Sequence, residues 1–304
     1  MDSSPTFSLL RSRPWRDYEL LDTGQGAKLE RFGKHTFARP EVEAMWAPTL
    51  PEREWAGADA VFQPASEENG GHWAFKRKTP ERWEMAYDLP DGPPLRFWAM
   101  TTAGRHLGVF PEAAPHWDLI AAAVQARRGS QPSVLNLFGY TGLATLAAAA
   151  AGARVTHVDA SRKSVNWARE NQALSGLADK PIRWIVDDAL KFVEREARRG
   201  ARYDGILLDP PKFGRGPKGE VWELYRSLPR LLRDLRGILS GQPLFVVLTV
   251  YAVKASAIHV GEALEEAMAG LPGALEVGEL VTPEKSAGRL LSQAVFARWL
   301  SRGD

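Results

Sequence analysis

From Ser133 onward, apolar runs and amphipathic stretches alternate along the chain. The runs SVLNLFG, ARVTHVDA, IRWIVDD, YDGILLD and PLFVVLTVY are short and rich in Val, Ile and Leu, the pattern of strands buried on both faces. Between and after them lie LATLAAAAAG, SRKSVNWARENQALSG, ALKFVEREARRG, EVWELYRSLPRLLRDLRGILS and ASAIHVGEALEEAMAG, which read as helices. Strands alternating with helices in this way predict an open α/β sheet, mostly parallel. Two further strand-like segments, ALEVGELVT and SQAVFARWL, are joined by a short polar link. They predict an antiparallel hairpin at the sheet edge, bringing the sheet to seven strands.

The chain before this region has a different rhythm. Short alternating segments such as HWAFKRK and RWEMAYDLP, broken by turns such as DLPDGPPL, predict a small β-rich domain over residues 1–98, with the α/β domain over 99–304. Six of the eleven tryptophans fall in the first part, where core packing of a small domain accounts for them.

Composition narrows the chemistry. The 304 residues contain no cysteine, which excludes disulfides, thiolate metal sites and a cysteine nucleophile. Six scattered histidines show no metal-binding spacing, and no G-x-S-x-G elbow supports a hydrolase, so no metal is expected. The longest apolar run, LATLAAAAAGA, is too short for a bilayer and the N-terminus lacks signal-peptide order, so the expectation is a soluble cytoplasmic protein without a membrane partner. Net charge is +2, divided as −3 over residues 1–98 and +5 over the rest. Any polyanionic partner is therefore expected at the C-terminal part.

In open α/β sheets ligands bind beyond the carboxyl ends of the strands. Four strand ends here carry polar or glycine-rich signals in succession. Asn136 to Gly142 is a two-glycine turn that lets backbone approach a ligand, and it is neither a P-loop nor a G-x-G-x-x-G fingerprint. Asp159 ends the second strand, where a ribose diol finds an acceptor, although a carboxylate there also suits a helix N-cap. Asp187 and Asp188 end the third; one suits an adenine amine and the other a helix cap, with Asp188 favoured for the adenine. The fourth end is Asp209-Pro210-Pro211-Lys212-Phe213. Successive prolines fix φ and remove N–H donors, so this turn presents rigid carbonyls beside a carboxylate, a clamp for an exocyclic amine. Phe213 suits stacking on an extruded base, and Lys212, Arg215 and Lys218 suit phosphates.

The set GVFPEAAPHW, VLNLFGYTG, VDASRKSVNWARENQALSG, DDALKF and LLDPPKFGRG resembles the class I S-adenosylmethionine-dependent methyltransferases. More closely it resembles the large-subunit rRNA methyltransferase I family, over about Leu107 to Leu300. The resemblance implies a seven-stranded Rossmann-like sheet, mostly parallel with the last strand antiparallel, and S-adenosyl-L-methionine as cofactor. It implies that Phe110, Pro111 and Glu112 lie over the cofactor and that the helix carrying His116 and Trp117 packs on the sheet. Asn136, Phe138, Gly139, Tyr140, Thr141 and Gly142 would surround the methionine part. Asp159, with Ala160 and Ser161, would hold the ribose, and Asp188, with Asp187 and Ala189, the adenine. Asp209 to Phe213 would meet the methyl group and the acceptor, and the partner would be RNA, most naturally ribosomal.

One departure carries chemical weight. The family's 5-methylcytosine members use a cysteine just after the fifth strand, because carbon 5 is a poor nucleophile until a thiolate adds at carbon 6. This chain reads Thr249-Val250-Tyr251 there, so methylation of a base nitrogen is expected instead. Its first hundred residues do not match the family's RNA-binding domain and are expected to shape the substrate cleft. The rival readings are a methyltransferase of a protein or small molecule, and a cofactor-binding RNA module without turnover.

Overall fold

In the computed structural model the described residues are 5–65, 70–127, 129–251 and 253–302. The N-terminal part contributes β1 (Thr6–Arg11), β2 (Tyr18–Gly24), β3 (Ala27–Phe32), β4 (His35–Pro40), α1 (Glu52–Ala56), β5 (Ala60–Pro64), β6 (Gly71–Phe75), β7 (Trp83–Tyr87) and β8 (Leu95–Ala99). A single 3-10 turn, Pro111–Ala113, leads into α2 (Ala114–Ala126). Then β9 (Ser133–Leu137), α3 (Leu143–Ala150), β10 (Arg154–Asp159), α4 (Arg162–Leu174), β11 (Ile182–Val186), α5 (Ala189–Arg198) and β12 (Gly205–Leu208) alternate as the hydrophobic pattern predicts. A hairpin of β13 (Phe213–Arg215) and β14 (Val221–Glu223) interrupts before α6 (Leu224–Arg236), β15 (Phe245–Val250), α7 (Ala257–Met268), β16 (Gly273–Pro283) and β17 (Leu290–Ser301).

Side chains alternate across a strand, and here both faces find apolar cover. Leu135, Leu137, Ile206, Leu208, Val246 and Leu248 pack on one side against α5, α6 and α7. Val134, Leu207, Phe245 and Val247 pack on the other against α2 and α3. Each such fully buried side chain contributes on the order of 1.5–3 kcal/mol. Helix α6 shows why the pattern was readable: Leu224, Leu228, Leu231, Leu232 and Leu235 recur at helical spacing and are all buried.

The central sheet runs β1-β16-β17-β15-β12-β9-β10-β11. Five strands, β15 to β11 in that order, are mutually parallel, and β17 is antiparallel to both β15 and β16. Two sequence expectations need correction. The sheet has eight strands rather than seven, because β1 joins it parallel to β16, and the β16–β17 hairpin therefore does not form the edge. A bare β16 would leave a row of unpaired N–H and C=O groups, which β1 satisfies. The contact depends on Gly278, since a Cβ there would collide with the carbonyl of Ser8. Phe7 and Leu9 stay exposed on β1, so hydrophobic patterning carries no signal of its partner.

The rest of the N-terminal part forms a five-stranded sheet, β2-β3-β4-β5-β6, and the separate hairpin β7–β8. Its aromatic core is continuous with the helices of the large sheet: Trp15 packs edge-on against Tyr87 and against Trp117 of α2, at ring separations of 4.9 and 5.9 Å. Trp15 and Trp83 are buried, as core packing requires. Within this part Glu30 is fully buried and receives Arg39 through Nε at 2.5 Å and Nη2 at 2.9 Å, with the Tyr18 hydroxyl donating at 2.9 Å. No helix among the described residues is long and apolar enough to cross a membrane.

Candidate functional site

The carboxyl ends of β9, β10, β11, β12 and β15 open on one side of the sheet. The turn after β9 is held in an unusual backbone: Phe138, Tyr140 and Gly142 have φ of 56°, 48° and 86°. Left-handed conformations at non-glycine residues cost about 1–2 kcal/mol each, and such strain persists only where the surroundings enforce it. They do so here. The Asp159 carboxylate accepts from the Tyr140 N–H at 2.9 Å and the Ser161 N–H at 2.8 Å. Thr141 donates its hydroxyl to the Gly108 carbonyl at 2.7 Å, and the Asn171 amide donates to the Thr141 carbonyl at 3.0 Å. Below the turn, the Asn136 amide donates to Thr145 Oγ1 at 2.9 Å, which lies 2.9 Å from Nδ1 of buried His157. Burial holds that imidazole neutral, with its pKa pushed down to about 3. A Cβ on Gly139 would strike the His157 ring, and one on Gly142 would come within 2.9 Å of Ala168 Cβ. Both glycines are there for close approach.

The acids at the next strand ends divide their work differently from the sequence expectation. The N-cap of α4 is Ser161, whose hydroxyl accepts from the Ser164 N–H at 3.2 Å, so Asp159 is not the cap. Its pKa is raised, because burial outweighs the two N–H donors. At β11 the cap belongs to Asp188, which accepts from the Lys191 N–H at 3.0 Å through one oxygen. Asp187, expected to cap, instead pairs with Arg195 and accepts from the Asp188 N–H at 2.9 Å. Ala189 opens α5 and is buried; Ala160 is half-buried.

At the end of β12 the chain enters Asp209-Pro210-Pro211. Asp209 lines a cavity together with Phe110, His116, Asn136, Tyr140 and Thr249, among others. Among the described residues nothing donates a hydrogen bond to its carboxylate. Burial, and then the nearby Glu112, push its pKa well above the usual carboxylate range. The residue as a whole is half-buried, so the acid sits deep with an open side toward the cleft. The Pro211 carbonyl is taken by the Trp222 indole at 2.7 Å, which anchors the loop to β14. Beyond it Lys212, Phe213, Arg215 and Lys218 point outward on the β13–β14 hairpin, and Phe213 is 58% exposed. Among the described residues none of these three cations has an acidic partner within ion-pair distance.

The segment before α2 closes the site from the other side. Phe110 packs against Tyr140 and Tyr251, with ring centroids 5.8 and 5.2 Å apart. Pro111 and Glu112 are buried, and burial raises the Glu112 pKa. The Tyr251 hydroxyl is buried without a hydrogen-bond partner among the described residues, and burial, then Glu112 and Asp209, push its pKa well above the ordinary range. Sequence reasoning treated Tyr251 only as the residue standing where a cysteine is missing, and His116 only as packing. Their signal is an unpartnered polar group in the interior, which appears only in three dimensions.

Thus one cavity joins the strained glycine turn after β9 to the unpartnered Asp209 carboxylate at the end of β12, while Asp159 and Asp188 stand at the ends of β10 and β11 on the other side of β9, outside its lining. Glycine-lined backbone, a nearby acid with lone pairs still open and orphaned polar atoms at the far end suit a nucleoside carrying a charged tail.

Comparison with known proteins agrees. A family model described as S-adenosylmethionine-dependent methyltransferase matches residues 68–284. The crystal structure of a SAM-dependent methyltransferase from Agrobacterium tumefaciens is 45% identical, with a TM-score of 0.91 over 99% of this chain and 98% of its own. A solved structure from Streptococcus mutans, 16% identical with a TM-score of 0.70 over 93% of this chain and 75% of its own, shares the fold alone. Among curated relatives, the ribosomal RNA large subunit methyltransferase K/L of Shewanella frigidimarina is 38% identical over 110 residues, and that of Shewanella sp. (strain ANA-3) 40% identical over 110 residues. These matches span 36% and 35% of this chain and 15% of each relative. The matched family model covers most of the chain and the Agrobacterium structure nearly all of it, so the chain belongs to the S-adenosylmethionine-dependent methyltransferases.

Proposed function

We propose that this methyltransferase acts on RNA, ribosomal RNA in the first instance, and that it methylates a base nitrogen rather than cytosine carbon 5. The observation that carries the reading is the Asp209 carboxylate, half-buried, without a donor among the described residues, and set against Pro210 and Pro211. An exocyclic amine is the ligand it lacks. The stretches shared with rRNA methyltransferases support RNA as the acceptor, as do Phe213, Lys212, Arg215 and Lys218 at the rim.

S-adenosylmethionine supplies an electrophilic methyl group on a sulfonium. Asn136, Phe138, Gly139, Tyr140, Thr141 and Gly142 would hold the methionine part, and Phe110, Pro111 and Glu112 would cover it. Asp159, flanked by Ala160 and Ser161, would receive the ribose hydroxyls through lone pairs its N–H donors leave open. Asp188, with one oxygen on the helix cap, would offer the other to the adenine amine, next to Ala189 and the ion-paired Asp187. Asp209 and the Pro210 carbonyl would accept from the acceptor amine and so orient it toward the methyl group. Asp209 would also be the group placed to take the proton that the acceptor amine gives up. Rate then comes from positioning and charge placement. Residues 1–98, apart from β1 in the central sheet, would shape the substrate cleft of a methyltransferase domain over 99–304; the first part's net charge of −3 suits shaping better than gripping RNA.

The test is incubation with methyl-labelled cofactor and unmodified ribosomal RNA, followed by mass spectrometry of nucleosides. An N-methylated purine is expected. Label on cytosine carbon 5 overturns the nitrogen chemistry, and absence of label in RNA with cofactor binding intact overturns the RNA acceptor.

A further inference from the structure

We infer that His116 is the donor that receives the α-carboxylate of the methionine part of S-adenosylmethionine. The inference rests on the reading that the turn after β9 holds that part.

The cofactor's tail ends in a carboxylate, and a carboxylate taken out of water must find donors. The cavity lining contains neither lysine nor arginine. The side chains in it that can donate are His116, Trp117, Asn136, Tyr140, Thr141 and Thr249, and Asp209 is its one acid. The Asn136 amide is committed to Thr145, and the Thr141 hydroxyl to Gly108. Asp209 is itself an acid and repels a second carboxylate, so the tail must end away from it. His116 stands apart from these. It is 3% exposed, yet both ring nitrogens lack a hydrogen-bond partner.

Its surroundings explain why it has no hydrogen-bond partner among the described residues. The ring packs edge-on against Phe296 at 5.3 Å, and the neighbouring charge, Arg298, is spent on Glu276 at 2.7 Å. Burial, and then Arg298, hold the imidazole neutral with a pKa of about 3. A neutral imidazole keeps one N–H to donate. His116 is also the third residue of α2, where the positive end of the helix dipole favours an anion. An interior donor left without a partner costs stability, and a carboxylate that accepts from the His116 N–H recovers that cost.

Decarboxylated S-adenosylmethionine is the discriminating probe, because it keeps the adenosine, sulfonium and amine and lacks only the carboxylate. Calorimetric affinities for it and for S-adenosylmethionine are measured on wild type, His116→Phe and His116→Gln. A hydrogen bond to a charged group corresponds to a loss of about 10- to 100-fold. The phenylalanine variant is expected to lose that much affinity for S-adenosylmethionine while binding the decarboxylated probe within about twofold of wild type, on the same grounds of retained contacts. Glutamine, which restores an N–H donor, is expected to recover most of the loss. Equal weakening of both ligands assigns His116 to packing and overturns the inference, as does no weakening of either. Gly142→Ala tests the underlying placement separately: it should weaken both ligands, and unchanged binding of both overturns the placement and the inference with it.

Discussion

Replacing Asp209 by Asn separates what this residue does for catalysis from what it does to the fold. The amide has the same shape but no negative charge, and one of its two acceptor positions becomes a donor facing the substrate amine. Loss of a preorganised electrostatic contact of this type reduces turnover by roughly 10²- to 10³-fold. Stability should move the other way. Burial raises the Asp209 pKa in the folded state, so the stability this acid contributes is present below the usual carboxylate range and is lost as pH rises through the folded value. Above the usual carboxylate range the wild type must therefore either hold a proton on Asp209 at a cost or bury an unpaired charge, and the variant does neither. An unsatisfied buried group costs about 1–3 kcal/mol, and the open side toward the cleft puts Asp209 near 1–2 kcal/mol, on the same basis. With about 2.1 cal/mol/K of unfolding entropy per residue over 304 residues, this becomes a rise in Tm of about 2–3 °C. Scanning calorimetry of both proteins from pH 4 to pH 8 should show that gain at pH 8 and its disappearance toward pH 4. A variant that melts lower at pH 8, or a gain independent of pH, would refute the claim that the carboxylate is buried without a partner.

Other variants probe the rest of the molecule. Gly142→Ala forces a side chain into φ of 86° and against Ala168, so a strain of about 1–2 kcal/mol should lower Tm and weaken cofactor binding at least tenfold by calorimetry. Glu30→Gln leaves buried Arg39 without its counter-charge and should cost about 3–5 kcal/mol, read from urea unfolding. Arg39 and Lys28 overcome burial and hold Glu30 at about 2, below its ordinary 4.5, so this stabilisation is present above pH 4.5 and should fade in the wild type as pH falls through about 2. Phe213→Ala should leave Tm and cofactor affinity unchanged while weakening RNA binding by about 1–3 kcal/mol, the worth of one base stacked on an aromatic ring, in a filter-binding assay.

What was legible in the sequence was local. The buried strands betray themselves by unbroken Val, Ile and Leu, and α6 by its leucines at helical spacing, because periodicity is set within a few residues. Strand ends, and with them Gly142, Asp159 and Asp209, follow directly, since a strand must stop where polar and proline residues begin. The same locality explains the ambiguity at Asp187-Asp188. Either carboxylate reaches the first turn of α5, and only the packing of that turn put the cap on Asp188 and the ion pair with Arg195 on its neighbour.

Tertiary structure decided everything that depends on residues far apart. β1 joins β16 across some 270 residues, through backbone bonds that carry no side-chain signature except the space above Gly278. The orphaned nitrogens of His116, the buried hydroxyl of Tyr251 and the isolated carboxylate of Asp209 are properties of a surrounding cage, and no single segment contains the cage. The sequence by itself determined the alternating α/β chain and the order of its polar strand ends, because hydrophobic periodicity is local. Which of those polar groups are left without partners is a matter of long-range packing, and in this protein those unpartnered groups mark the candidate site.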